Sequence, residues 1–203
     1  MIFQRVGAVE LRVLGCLIEK QRTTPEQYPL TLNALRLACN QSTNRDPVVD
    51  YDESQVREAV QRLGQAGWAR LATGPGSRVA KYRQLFDEAL TLDVAETAIL
   101  ALLMLRGPQT AAELKGRCER LRHFSDLAEV TGALGRLAER ELALLLPRRP
   151  GQREERWTHL LGEEPSEGAT GAAELSPLEQ RLARVEEKIA ELERALDERG
   201  LLD

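Results

Sequence analysis

At 203 residues and a formal net charge of −4, the chain has room for one or two small domains. No apolar run approaches the roughly 20 residues needed to cross a bilayer, and no basic-then-apolar leader is present, so the chain reads as cytoplasmic with no membrane partner. Charge is uneven: residues 1–86 carry +4, residues 87–161 carry −1 and residues 162–203 carry −7, an asymmetry that suits nucleic-acid binding by the first part.

In chain order, Leu11, Leu14, Cys16, Leu17 and Ile18 predict a first helix from about Ala8 to Gln21. A second begins where Thr31 can cap and runs to about Asn40, with Leu30 and Leu35 placed as a hydrophobic staple. A polar loop over 40–47 follows. Asp52 with Gln55 then makes a capping-box pattern for a third helix that buries Val56, Ala59, Val60 and Leu63. Trp68–Thr73 and Arg78–Arg83 read as two strands joined through Pro75-Gly76.

The pattern then recurs. Val56-Arg57-Glu58-Ala59-Val60-Gln61-Arg62-Leu63 returns 74 residues later as Val130-Thr131-Gly132-Ala133-Leu134-Gly135-Arg136-Leu137. The turns Pro75-Gly76 and Pro150-Gly151 and the aromatics Tyr82 and Trp157 align at an offset of 75. So long a period means duplicated domains rather than a solenoid. Helix followed by a twisted hairpin is the C-terminal half of a winged-helix domain, so the fold expected is mainly α with small β-hairpin wings: winged-helix domain 1 at 1–86 and domain 2 at 87–161. Helix starts in the second copy are marked by Asp93 with Glu96, Thr110 with Glu113, and Ser125. The first helices align at an offset of 86 and the third at 74, so the first copy holds twelve extra residues between its first and third helices, in the stretch that includes the 40–47 loop. These read either as added function or as a longer connection.

Residues 162–176 are poor in apolar residues and read as a flexible linker. Residues 177–199 read as an amphipathic, coiled-coil-like helix, with Leu178, Leu182, Val185, Ile189, Leu192 and Leu196 at alternating spacings of four and three. With Arg181 and Lys188 facing Glu186 and Glu193, this seam predicts a parallel homodimer. The alternative is a helix folded back onto its own domains.

Long strings carry a family resemblance: Glu19-Lys20-Gln21, Thr23-Thr24-Pro25-Glu26-Gln27-Tyr28-Pro29-Leu30-Thr31-Leu32-Asn33-Ala34-Leu35, Ala38-Cys39-Asn40-Gln41, Gly76-Ser77-Arg78-Val79, Phe124-Ser125-Asp126-Leu127-Ala128-Glu129-Val130 and Arg149-Pro150-Gly151-Gln152-Arg153-Glu154. Over roughly residues 8–161 the chain resembles the YceH family of uncharacterised bacterial proteins. That resemblance implies tandem winged-helix domains in a soluble protein and brings no activity or ligand with it. The family pattern tends to have lysine after Asn40-Gln41, where this chain has Ser42.

No catalytic, metal or cofactor site is expected. His123 and His159 lie in different elements, no glycine-rich phosphate loop follows a strand, and no Cys/His spacing suits a metal. Cys16, Cys39 and Cys118 read as small buried residues. Duplex DNA is the expected partner, met by the third helix and wing of domain 1 through Arg57, Gln61, Arg62, Arg78, Lys81 and Arg83, with Gln suited to adenine edges and Arg to guanine or phosphate. The corresponding helix of domain 2 exposes Ala128, Gly132, Gly135 and Glu139. Its glycines suggest close approach of another backbone, from domain 1, the C-terminal helix or another protein. The alternative function is therefore a protein-interaction scaffold, similar to the tandem winged-helix subunits of chromosome-organising complexes.

Overall fold

A computed structural model describes residues 6–72, 79–148 and 153–162, all of which belong to one compact unit. The linker from 163 onward, the seam residues from Leu178 to Leu196 and both Pro-Gly turns lie outside the described residues. The molecule is mainly helical, with two small antiparallel sheets. Among the described residues no helix is long and apolar enough to cross a membrane.

The first half opens with α1 (Ala8–Thr23), two residues longer than its apolar pattern implies. A 3-10 turn at Pro25–Gln27 leads to β1 (Leu30–Thr31) and α2 (Leu32–Cys39). The Thr31 hydroxyl accepts the Ala34 N–H at 3.2 Å, satisfying a donor that the helix start leaves unpaired. In α3 (Glu53–Gln65), Asp52 and Gln55 exchange both bonds of the capping box. β2 (Ala69–Leu71) and β3 (Lys81–Gln84) complete a sheet in the order β1-β3-β2. Strand β1 is absent from the sequence expectations because two residues carry no periodicity.

A short helix, α4 (Phe86–Leu90), leads into the second half. There α5 (Val94–Arg106) and α6 (Ala111–Cys118) both start on the capping boxes expected of them. Helix α7 (Leu127–Glu139) is capped by Asp126, not Ser125. The Asp126 carboxylate accepts the Glu129 N–H at 2.8 Å, while Ser125 gives its N–H and hydroxyl to the Glu129 side chain at 3.0 and 3.1 Å. β4 (Ala143–Leu146) pairs with β5 (Arg156–His159), and the place of β1 is taken by a single bridge from Gln109 to Trp157.

The halves meet through their first helices. α5 is buried from Ala95 to Leu105 and α1 from Glu10 to Glu19, and burial around the whole circumference marks helices at the centre of a core. Gly15 permits the contact: a Cβ there would lie 2.9 Å from Leu105 Cγ and 3.4 Å from the Ala101 carbonyl oxygen. At the chain start, the Val6 N–H donates to the Leu161 carbonyl at 3.1 Å, tying the first half to the end of the second.

By the helix starts, about seven of the twelve extra residues of the first half precede α2 and about five lie between α2 and α3, where the loop is a strut. Arg45, its side chain wholly buried, donates to the Glu19 carboxylate at 2.6 and 3.2 Å, to the Ala38 carbonyl at 3.1 Å and to the Gln41 side chain at 3.1 Å. Burial alone would push the Glu19 carboxyl up; Arg45, with Lys20, more than offsets this and holds it below the usual carboxylate range. Arg12 donates to the carbonyls of Cys39 and Pro47 at 3.1 and 2.7 Å. Asn40 brackets Tyr51, accepting its N–H at 2.9 Å and donating to its carbonyl at 2.8 Å. The loop also reaches the second half, where the Asp46 N–H donates to the Leu105 carbonyl at 2.9 Å and Arg106 donates to the Asn44 side chain at 2.8 Å. Of the two sequence readings, the bonds favour connection.

Candidate nucleic-acid interface

Amphipathic α3 buries Val56, Ala59, Val60 and Leu63 against the core, which turns Ser54, Arg57, Glu58, Gln61 and Gln65 outward. Its two arginines are both engaged. Arg57 pairs with Glu53 one turn earlier, and Arg62 pairs with the buried Glu10 of α1 and, at 3.7 Å, with Glu58. The second half repeats the Arg62 contact: Arg136 of α7 reaches Glu96 of α5 at 3.1 Å and Asp93 at 2.7 Å. The arginine shared by both copies of the repeated octet is thus a tie from third helix to first helix. Its persistence in both copies is the signal that marks it as structural.

Strand register sorts the hairpin residues by face. Arg70 lies opposite Arg83, Leu71 opposite Tyr82, and Thr31 opposite Lys81. Because side chains alternate along a strand, Arg70, Lys81 and Arg83 share one face, and Leu30, Ala69, Tyr82 and Gln84 share the other. The second set is the inner face. Leu30, Ala69 and Gln84 are buried, and Gln84 is fully engaged: its N–H donates to the Tyr28 hydroxyl at 2.6 Å and its amide donates to Gln21 at 2.7 Å. Burial pushes the Tyr28 hydroxyl up to about 12, so Tyr28 stays protonated at neutral pH.

The expected site residues therefore divide between two surfaces. Arg57 and Gln61 line an open groove of about 590 Å³ together with Asn33, Glu53, Val79 and Tyr82. Lys81 and Arg83 stand on the opposite face of the hairpin, where Arg83 is paired with the exposed Glu88. Arg78 lies outside the described residues. Arg70, which sequence reasoning did not single out, joins the outer face and is exposed. Neither it nor Lys81 makes an ion pair among the described residues. Strand parity could have identified Arg70 once the register was known.

The second half has the same register, with Ala143 opposite His159, Leu144 opposite Thr158 and Leu145 opposite Trp157. Its outer face holds Leu144, Leu146, Arg156 and Thr158. Leu144 is 46% exposed, and Arg156 is held by Glu113 at 3.0 Å and by the Pro108 carbonyl at 2.8 Å. On α7, Ala128 and Gly132 are exposed. The close approach expected at Gly132 and Gly135 does not occur with the first half: a Cβ at either position would meet nothing within 4 Å. The halves touch through α1 and α5 instead, leaving this face bare among the described residues.

Of the other chemistry-bearing groups, Cys16 and Cys39 meet in the core through a side-chain hydrogen bond, beside Arg45. The three cysteines are free and buried. Among the described residues no group of three or more His, Cys, Asp or Glu side chains could hold a metal ion. His159 occupies the position of Gln84 in the second half, but its Nδ1 is buried without a hydrogen-bond partner, and burial pulls the imidazole down to about 4.

Residues 6–152 match a family described as "Protein of unknown function, DUF480". A UPF0502 protein of Citrifermentans bemidjiense is 50% identical over 94% of this chain and 88% of its own length, and one of Geotalea uraniireducens is 48% identical over 93% and 87%. A UPF0502 protein of Dechloromonas aromatica is 43% identical over 97% of this chain and 96% of its own. The chain therefore belongs to the DUF480/UPF0502 family of bacterial proteins.

Proposed function

We propose that this is a cytoplasmic, YceH-like tandem winged-helix protein whose first half binds duplex DNA. The observation that carries the reading is the order helix-strand-helix-helix-strand-strand with the sheet order β1-β3-β2. In that order α3 offers Arg57 and Gln61 at the groove and β3 carries Lys81 and Arg83 on the other face of the hairpin, two contact surfaces of the first half to which the sequence adds Arg78. Arg62 supports the first of these indirectly, by fixing α3 to α1. Gln61 suits a base edge and the hairpin cations suit phosphates.

Fluorescence anisotropy with a random-sequence duplex at two salt concentrations tests the reading, because phosphate contacts release counterions and make affinity fall with salt. Replacing Arg78 and Lys81 by alanine weakens binding to all sequences alike and flattens the slope of log affinity against log salt by about one to two units. Replacing Arg148 and Arg149 does less. Absence of salt-dependent binding by the wild type rejects DNA as the partner.

The face of α7 left bare among the described residues and the exposed Leu144 favour a second reading, in which the second half holds another protein. The seam from Leu178 to Leu196 supports a homodimer. Light scattering on the full chain and on a truncation after Glu164 checks it: the full chain is a dimer and the truncation a monomer, and two monomers reject the seam.

A further inference from the structure

Resting on the DNA reading above, we infer that the duplex is engaged hairpin first: the outer face of β2–β3, with Arg70 and Lys81 as its principal contacts, grips the phosphate backbone without regard to sequence, and α3 is secondary. Three observations converge on this.

The first is charge. Between Glu53 and Gln65, α3 carries two arginines and two glutamates, and each arginine is engaged by a carboxylate. A phosphate approaching α3 must displace Glu53 or Glu58 and meets no net positive charge. The outer hairpin face presents Arg70, Lys81 and Arg83 with, among the described residues, one paired carboxylate, Glu88. That pair is largely exposed on the Glu88 side, so exchanging Glu88 for a phosphate costs little.

Geometry is the second. Arg70 and Arg83 are direct cross-strand neighbours, and Lys81 lies two residues along on the same face. Like charges directly opposite each other on a sheet are mutually unfavourable. The arrangement is relieved when an anion lies across the strands. Successive phosphates of a backbone supply such anions, and Arg can bind one in bidentate fashion while Lys acts as a point charge.

The third is the repeat. At the matching positions the second half has Leu144 for Arg70, Arg156 for Lys81 and Thr158 for Arg83, in the same register. Arg156 is committed to Glu113 and Pro108. The scaffold does not require unpaired cations on this face, since the second half has none at the positions of Arg70 and Arg83 and holds Arg156 in an ion pair. Their presence in the first half is not explained by folding.

The test uses the full chain and a fluorescein-labelled random-sequence duplex of about 20 base pairs, titrated over a salt series. Arg70→Gln/Lys81→Gln is expected to lower affinity by about tenfold or more at low salt and to flatten the salt slope by about two units. Arg57→Gln/Gln61→Ala costs a smaller factor, and Arg148→Gln in the second half serves as the control. Two unrelated duplex sequences bind within about twofold of each other. Thermal melting of each variant shows that the fold is intact. If the wild type binds with salt dependence and the α3 variant is the more damaging, or the two sequences differ by tenfold, the duplex is read helix first and this inference is overturned while the DNA reading stands. A wild type without salt-dependent binding overturns both.

Discussion

On the outer face of the first hairpin stand Arg70, Lys81 and Arg83; on that of the second, in the same register, stand Leu144, Arg156 and Thr158. The third helices diverge in the same direction, from Arg57, Glu58 and Gln61 to Thr131, Gly132 and Gly135. What the halves share are internal ties: the half-exposed arginine that joins third helix to first helix, the aromatic at Tyr82 and Trp157 on the inner face of each hairpin, and Ala69 and Ala143 at the start of the strand. The two halves agree in the ties that assemble the fold and differ in their surfaces. Differences between the halves therefore locate function better than similarities do.

The halves also differ in how they are braced, and breaking the brace should have the largest effect. The first half has the 40–52 strut, and Arg45→Met would strip Glu19 of its buried partner and leave it only Lys20. Removing one member of a buried pair typically costs about 3–5 kcal/mol. Urea unfolding of the variant should show a loss of that size. A loss below about 1 kcal/mol would mean that the loop is an accessory to the fold.

A second contrast concerns one buried position. Gln84 has every polar atom engaged, whereas its counterpart His159 has an orphaned Nδ1. Burial lowers the folded imidazole to about 4 from an ordinary value of 6.5. Between those values the unfolded chain binds a proton at this site and the folded chain does not, so stability falls as pH drops from 6.5 towards 4. The full contribution is on the order of 3 kcal/mol. His159→Gln should abolish this part of the acid dependence in melting curves recorded from pH 7 to 4; an unchanged profile would place the loss elsewhere.

The smallest effect has the opposite sign. Gly132→Ala and Gly135→Ala add a methyl where nothing among the described residues lies within 4 Å, so each should stabilise by roughly 0.5–1 kcal/mol through helix propensity alone. Destabilisation in calorimetry, or a change in oligomeric state, would show that a partner covers α7 and would strengthen the scaffold reading.

Local signals made most helices legible in the sequence. The capping boxes at Asp52, Asp93 and Thr110 each link residues three positions apart and are all formed, because a cap needs only its own turn. The repeat likewise disclosed the hairpins. Long-range partners were not legible: Arg62 looked like an exposed cation because Glu10 lies 52 residues away, and the strut looked like a loop because Arg45 and Glu19 are 26 residues apart. Of the interface, residue types could be read but not sides. Lys81 and Arg83 were recognised as basic, yet their separation from Arg57 and Gln61 and their company with Arg70 depend on a register that no single strand reveals.

The division of labour between the halves can be observed directly by following backbone amide shifts of the full chain as a random-sequence duplex is added at low salt. We expect Arg70 and Lys81–Arg83 to shift most and α3 less, with Ala143–Leu146 and Arg156–His159 unchanged. Shifts concentrated on α7 or the second hairpin would contradict the assignment of nucleic-acid binding to the first half.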